Sequence, residues 1–251
     1  MDLGLRGRVF LVTGGSRGLG LAAATVLVTE GACVVVSGRD GDVAAAAARQ
    51  LGGASRAVGV AADNADPEAP KRLIGAALDA FGRLDGGLMS GAGPASGALR
   101  SMTDEAWRAS FDAVFLGPLR ISRMVAESAE NGGSMAFVLS TTVRSPIPGL
   151  AVSSGLRSGL AMVVKMLADE LGPRGIRVNG LLPGRTRTEG LRALDAEFGE
   201  EQVAARRAAI PLGRDGTPEE FGRVAAFVLS PAASYVTGAM IPVDGGALRT
   251  L

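Results

Sequence analysis

The sequence predicts a doubly wound α/β fold: a mainly parallel, seven-stranded sheet with helices on both faces. Three observations lead there. Short β-branched runs alternate with longer stretches of helical period, and a glycine-rich turn stands directly between the first run and the first helix. No Pro/Ser/Gly-rich or highly charged linker divides the 251 residues, so one domain spanning 1–251 is expected.

The run Arg8–Thr13 (RVFLVT) reads as the first strand and Leu19–Glu30 as the first helix. Cys33–Ser37 is a second apolar, β-branched run, and the alanine-rich stretch Asp42–Leu51 is a strong helix former. The same rhythm gives a strand near Ala57–Ala61, a helix near Glu68–Phe81, a strand near Leu84–Ser90, one long helix from about Thr103 to Ser128, and a strand at Ser134–Ser140. A second long helix is expected over Leu150–Leu171, with the strand Arg177–Leu181 after it. Beyond an irregular Pro/Gly segment come a helical region from about Leu191 to Ala208, a helix after Pro218 capped by Thr217, and a last strand at Met240–Val243. With right-handed crossovers, ligands in such a sheet bind beyond the carboxyl ends of the strands, where the strand order reverses. The loops leaving each strand are therefore where chemistry is expected.

Composition narrows the partners. A net charge of +1, with 47% hydrophobic and 20% charged residues, supplies a core and gives no bulk attraction to nucleic acid or membrane. A small-molecule substrate and further copies of the chain are the expected partners. The lone Cys33 allows no intrachain disulfide, no secretory pattern opens the chain, and no run of about 18 residues stays apolar, so a cytoplasmic location is expected. No metal ligand set is expected. The chain has no histidine, Tyr235 is its one tyrosine, and Lys71 and Lys165 are its only lysines, so most side chains that move protons near neutral pH are missing or rare.

The first loop runs Thr13-Gly14-Gly15-Ser16-Arg17-Gly18-Leu19-Gly20. Gly14 permits a tight turn, Gly18 lets the backbone approach a pyrophosphate, and Gly20 permits close helix packing; Ser16 and Leu19 share the loop, and the helix N-terminus offers free N–H groups and a positive dipole end. An ordinary tight loop is the plainer alternative. The second strand ends Ser37-Gly38-Arg39-Asp40, where this architecture meets the adenosine ribose. An arginine there suits a 2′-phosphate through a two-pronged, charge-assisted contact, which favours NADP(H), and Arg17 offers a second charge beside it. Either arginine is otherwise a solvated surface residue.

On these residues the chain resembles the classical short-chain dehydrogenase/reductase family over nearly its whole length. Residues 13–20 match that family's TGxxxGxG turn, and Ser90-Gly91-Ala92-Gly93 stands where the family has NNAG. Asp63 resembles the family's adenine contact, Pro183-Gly184 with Thr188 its PGxxxT segment at the nicotinamide amide, and Val236-Thr237-Gly238 with Val243-Asp244-Gly245-Gly246 its C-terminal signature. The resemblance implies a Rossmann-type fold, NADP(H) held by the glycine loop with Arg39, Asp63, Gly91, Gly93, Pro183, Gly184 and Thr188, and oxidoreduction of a carbonyl or alcohol. It also implies a homodimer or homotetramer, because the long helices after the fourth and fifth strands commonly form the family's subunit interface.

The family's catalytic set is Asn, Ser, Tyr and Lys. Here Val114 takes the Asn position, Ser140 or Thr141 the Ser, Ser153 the Tyr and Arg157 the Lys, so three of the four are replaced. A subset of members resembling 3-oxoacyl-carrier-protein reductases shares the Ser and Arg. A serine hydroxyl is far less acidic than a phenol, and a guanidinium stays protonated and relays no proton. One reading is an altered site in which Ser140 or Thr141 polarises a carbonyl, water supplies protons and Arg157, on the first exposed turn of its helix, contacts the cofactor. The other reading makes Ser153 simply a residue of the helix's first turn. Arg144, Arg185 and Arg187, with Thr186 and Thr188, form either a site for an anion such as a carboxylate or a coenzyme A phosphate, or a solvated rim. Residues of about 184–212 are expected to cover the substrate, and an acyl thioester is among the substrates considered. Two functions follow: an NADP(H)-dependent oxidoreductase with an atypical site, or a catalytically silent NADP(H)-binding regulator or partner subunit.

Overall fold

A computed structural model describes residues 2–129, 132–196 and 198–250. The hydrophobic runs become strands β1 (Val9–Val12), β2 (Cys33–Gly38), β3 (Ala57–Ala61), β4 (Gly86–Met89), β5 (Gly133–Val138), β6 (Ile176–Pro183) and β7 (Met240–Val243). Among the described residues these seven make one sheet in the order β3-β2-β1-β4-β5-β6-β7, every pair parallel. The order reverses between β1 and β4, which opens a crevice at their carboxyl ends.

The helices are α1 (Gly18–Thr29), α2 (Gly41–Gln50), α3 (Ala69–Phe81), α4 (Asp104–Phe111), α5 (Gly117–Ser128), α6 (Ala151–Leu171), α7 (Glu189–Asp195), α8 (Glu200–Ala208) and α9 (Pro218–Leu229). Strand residues alternate between two cores. Val34, Val36, Leu27, Phe221 and Ala225 pack α1 and α9 onto one face, while Val35, Leu73, Ile121, Phe137 and Val164 pack α3, α5 and α6 onto the other. The residues Ala151–Arg174, which include α6, are long and apolar enough to cross a membrane by composition alone, yet Val152, Leu160, Ala161, Val164 and Ala168 are buried and pack α6 on the sheet. Its outer face leaves Met162 and Met166 exposed.

Two expected helices differ in detail. The stretch expected as one helix over Thr103–Ser128 is interrupted by a π-helical turn, Asp112–Leu116, between α4 and α5. Pro118 explains it: proline has no N–H for the Val114 carbonyl and its ring crowds that turn, so the hydrogen-bond spacing widens. The Leu191–Ala208 region divides into α7 and α8, because Gly199 takes an extended conformation (φ −70°, ψ 154°) ahead of α8.

Candidate functional site

The carboxyl ends of β1 and β4 are cross-linked before any ligand is considered. Thr13 Oγ1 donates to the Ser90 carbonyl at 2.6 Å and accepts from the Ser90 N–H at 2.9 Å, and Asn64 Nδ2 donates to the same carbonyl at 3.0 Å. The glycine turn sits directly on this floor. Gly14 has φ +57°, a conformation that favours glycine, and a Cβ on it would lie 3.0 Å from Gly91 Cα. Gly20 carries the tightest contact, since a Cβ there would fall 2.4 Å from the Gly14 carbonyl oxygen. Its role is thus to let the turn fold back on its own helix. Gly18 also has φ +57°, with open space beyond it bounded by Thr188 Cγ2 at 3.8 Å from the Cβ position.

Arg17 precedes α1 in an extended conformation without capping it, and no acidic residue occupies the first turn. The N–H groups of that turn, including those of Gly18, Leu19 and Gly20, therefore face the crevice under a positive dipole end. The Leu19 side chain packs toward the core. Ser16 reaches the end of β2, where a Cβ on Gly38 would lie 2.5 Å from its Oγ. Arg39 is exposed beside it. The neighbouring carboxylate of Asp40 is turned away, accepting from the Asp42 and Val43 N–H groups at 2.9 and 3.1 Å to cap α2. Asp63 is exposed and accepts from Ala65 N at 3.0 Å; Gly93 has nothing within 4 Å of its Cβ position.

At the end of β5 the hydroxyls form a sequence. Ser140 Oγ accepts from the Thr142 N–H at 3.1 Å, which leaves its own O–H free to donate. Thr141 is buried, and Thr142 Oγ1 lies 3.3 Å from Ser153 Oγ on the first turn of α6. Ser153 is buried against this threonine. The sequence offered no reason to single out Thr142 or Asn64 beyond the hydroxyl run Ser140-Thr141-Thr142 and the polar residue after Asp63.

Arg157 corrects the expectation of an exposed turn. Its Nη1 donates to the Val138 carbonyl at 2.9 Å and to the Leu139 carbonyl, and its Nε is buried with no partner among the described residues. The guanidinium is thus turned inward onto the carbonyls at the end of β5. Burial pushes Arg157 down to about 10, which still leaves it charged at neutral pH.

The basic rim is also mostly consumed internally. Arg144 Nη2 donates to the Met240 carbonyl at 3.1 Å. Arg185 holds both Asp195 oxygens at 2.8 Å and one Asp215 oxygen at 2.8 Å, while Arg207 takes the other Asp215 oxygen at 3.1 Å. The Asp195 contact raises Arg185 further above its ordinary range; burial pushes the Asp215 carboxyl up, but its bonds to Arg185 and Arg207 leave it lowered. Arg187 remains exposed. Thr186 is buried, and Thr188 Oγ1 accepts from Leu191 N at 3.1 Å to cap α7. Gly184 gives way to Asp244, whose Cβ would stand 2.7 Å from a Cβ placed there, and Pro183 ends β6 beside it.

Comparison with known proteins places these features in context. A family model described as enoyl-(acyl carrier protein) reductase matches residues 14–247. An uncharacterized oxidoreductase of Methylorubrum extorquens is 36% identical over 246 residues, spanning 96% of this chain and 98% of the relative. Versicolorin reductase 1 of Aspergillus parasiticus is 34% identical over 257 residues, spanning 98% of each chain. The crystal structure of L-sorbose reductase from Gluconobacter frateurii, complexed with NADPH and L-sorbose, is similar with a TM-score of 0.91 and 28% identity, covering 100% of both chains.

Proposed function

Because this chain belongs to the classical short-chain dehydrogenase/reductase family of oxidoreductases, we propose that it is an NADP(H)-dependent oxidoreductase of a carbonyl or alcohol substrate whose proton does not travel through a tyrosine. The observation that carries this reading is the uncapped first turn of α1, reached through the positive-φ glycines Gly14 and Gly18 and flanked by exposed Arg39. Those residues fit a dinucleotide. Backbone N–H groups over Gly14, Ser16, Arg17, Gly18, Leu19 and Gly20 would hold the phosphates, Arg39 the 2′-phosphate, Asp63 the adenine, Gly91 and Gly93 the adenosine wall, and Pro183, Gly184 and Thr188 the nicotinamide amide. When bound, this coenzyme gives or accepts the hydride. NADPH in the sorbose reductase complex, and the reductase name of the Aspergillus relative, support the choice.

The chain's own groups then do the polar work. Ser140, with one lone pair committed to Thr142 N, points an O–H at a substrate oxygen; Thr141 flanks it. Ser153 holds Thr142 in place and does not exchange the substrate's proton, which water carries instead, since an aliphatic hydroxyl is too weak an acid near neutral pH. Arg157 ties down the end of β5 and sets a fixed positive charge there that no proton transfer removes. The segment 184–212, with α7 and α8, covers the substrate. The exposed Phe111, Met162 and Met166 on α4 and α6 lie on the face through which the chain forms a homodimer or homotetramer. A cytoplasmic site of action suits the lone Cys33.

Titration with NADPH and NADH, followed by absorbance of NADPH against a panel of ketones and acyl thioesters, tests this. NADPH binds more tightly than NADH, and turnover survives Ser153→Ala but is lost in a Ser140→Ala, Thr141→Val double variant. A tight NADPH complex that reduces none of the panel would overturn the enzyme reading in favour of a silent coenzyme-binding regulator or partner subunit.

A further inference from the structure

The glycine turn and α7 meet across the mouth of the crevice. Arg17 Nη1 lies 3.4 Å from Glu189 Oε2, joining residues 172 positions apart, and both side chains stay largely in water at 63% and 74% exposure. Next to this pair, Thr188 Cγ2 bounds the open space over Gly18. The other end of α7 is held differently: Asp195 receives two 2.8 Å bonds from Arg185, which is only 14% exposed and is itself tied to Asp215. Water and salt screen the first pair strongly and the second weakly. The helix therefore has a fixed end at Asp195 and a releasable end at Glu189.

We infer that Glu189 is a coenzyme-selectivity residue, an internal carboxylate that competes with a coenzyme phosphate for Arg17 and clasps α7 over the glycine turn while it does so. The inference rests on the NADP(H) reading above. Glu189 is the first residue of α7, where a carboxylate is favoured by the helix's own N–H groups, so it stays in position as long as α7 is folded. Arg17 leaves the same loop whose N–H groups face the crevice. The contact with Glu189 uses Nη1 alone, so a phosphate that takes this nitrogen displaces the carboxylate, and the phosphate is the stronger acceptor. By reciprocity, whatever Arg17 gains from Glu189 is subtracted from coenzyme affinity, and the subtraction is larger for the ligand carrying the extra phosphate.

The test is calorimetric titration of NADPH and NADH into the wild type, Glu189→Gln, Arg17→Gln and the double variant, with hydrogen exchange of residues 188–195 measured without coenzyme. Glu189→Gln tightens NADPH about two- to fivefold, the range of an exposed ion pair, tightens NADH less, and loses its effect in the Arg17→Gln background and at high salt. The Leu191 and Arg192 amides, both bonded to Thr188, exchange faster in either single variant. Unchanged NADPH affinity, an equal gain for NADH, or faster exchange in Glu189→Gln but not in Arg17→Gln would each overturn the inference. Should the wild type bind neither coenzyme, the NADP(H) reading falls and with it the selectivity role; exchange that is also unchanged in both variants removes the clasp.

Discussion

The two halves of the site are made of different materials. The β1–β4 end is shaped by side chains that are missing: Gly14 and Gly20 let backbone lie on backbone, Gly18 leaves space open over the turn, and uncharged bonds from Thr13 and Asn64 to Ser90 hold the floor. The β5–β6 end and its cover depend on side chains that are present, through the Thr142–Ser153 pair, the inward-turned Arg157 and the Asp195–Arg185–Asp215–Arg207 chain. A surface built from absent atoms tolerates almost no substitution, whereas contacts between side chains can be exchanged while the sheet stays as it is. On the reading of the site proposed above, that difference lets the coenzyme turn persist while three of the family's four catalytic residues are replaced.

The sharpest way to break this contrast is to add one methyl group to each kind of glycine. Gly20→Ala places a Cβ 2.4 Å from the Gly14 carbonyl. Helix propensity alone favours alanine by about 1 kcal/mol, but a clash with backbone costs more, and a net loss of about 2 kcal/mol is expected, together with loss of coenzyme binding. Gly93→Ala, with nothing within 4 Å, changes stability by less than about 0.5 kcal/mol. Urea unfolding of both variants decides it: equal, small effects would show that the turn is not close-packed.

Removing a charge from the cover comes next. Arg185→Ala deletes three bonds to Asp195 and Asp215 and leaves Asp215, at 5% exposure, with Arg207 alone. A loss of about 2 kcal/mol is expected, the size of hydrogen bonds to charged groups at a partly exposed site. Hydrogen exchange should rise through residues 188–215 and stay constant through residues 13–20. Exchange rising equally in both segments would show that cover and floor are one cooperative unit.

The parts legible in the sequence follow the same division. Apolar runs revealed all seven strands; the signal is strongest in the central strands, which are buried on both faces, while β3 and β7 at the sheet's edges are only partly buried. The glycine turn was legible because the lack of a side chain is itself a property of the sequence. The π turn was not, since it depends on how the helix accommodates Pro118, and neither was the break at Gly199. Arginine is the least legible residue: its stem can lead the charge to solvent or back to carbonyls, so Arg39, Arg157 and Arg185 look alike in sequence and end as an exposed group, an inward-turned strand-end donor and a double ion-pair hub. The Thr142–Ser153 pair needed the three-dimensional placement of α6 against the turn after β5.

Ser153→Ala sharpens the comparison further. It removes one 3.3 Å contact between hydroxyls, so it should cost about 1 kcal/mol or less in thermal unfolding and leave NADPH affinity unchanged. A tenfold loss of affinity would show that Ser153 reaches the coenzyme, and the two halves would then share a residue.

The smallest effect concerns acid. The bonds that hold the floor do not titrate, but the cover adjoins Glu220, which Arg214 and then the Thr217 N–H hold down to about 2 from an ordinary 4.5. A carboxyl lowered by folding contributes stability that is fully present above its unfolded value and is lost as pH falls through its folded one. The melting temperature of the wild type should therefore exceed that of Glu220→Gln by a constant margin above pH 4.5, and the margin should close as pH approaches 2. The Glu220 side chain is 39% exposed, so the margin is no more than about 2 °C. A margin that widened on acidification would mean that the carboxyl binds its proton more tightly in the folded chain, the reverse of what its contacts with Arg214 and Thr217 require.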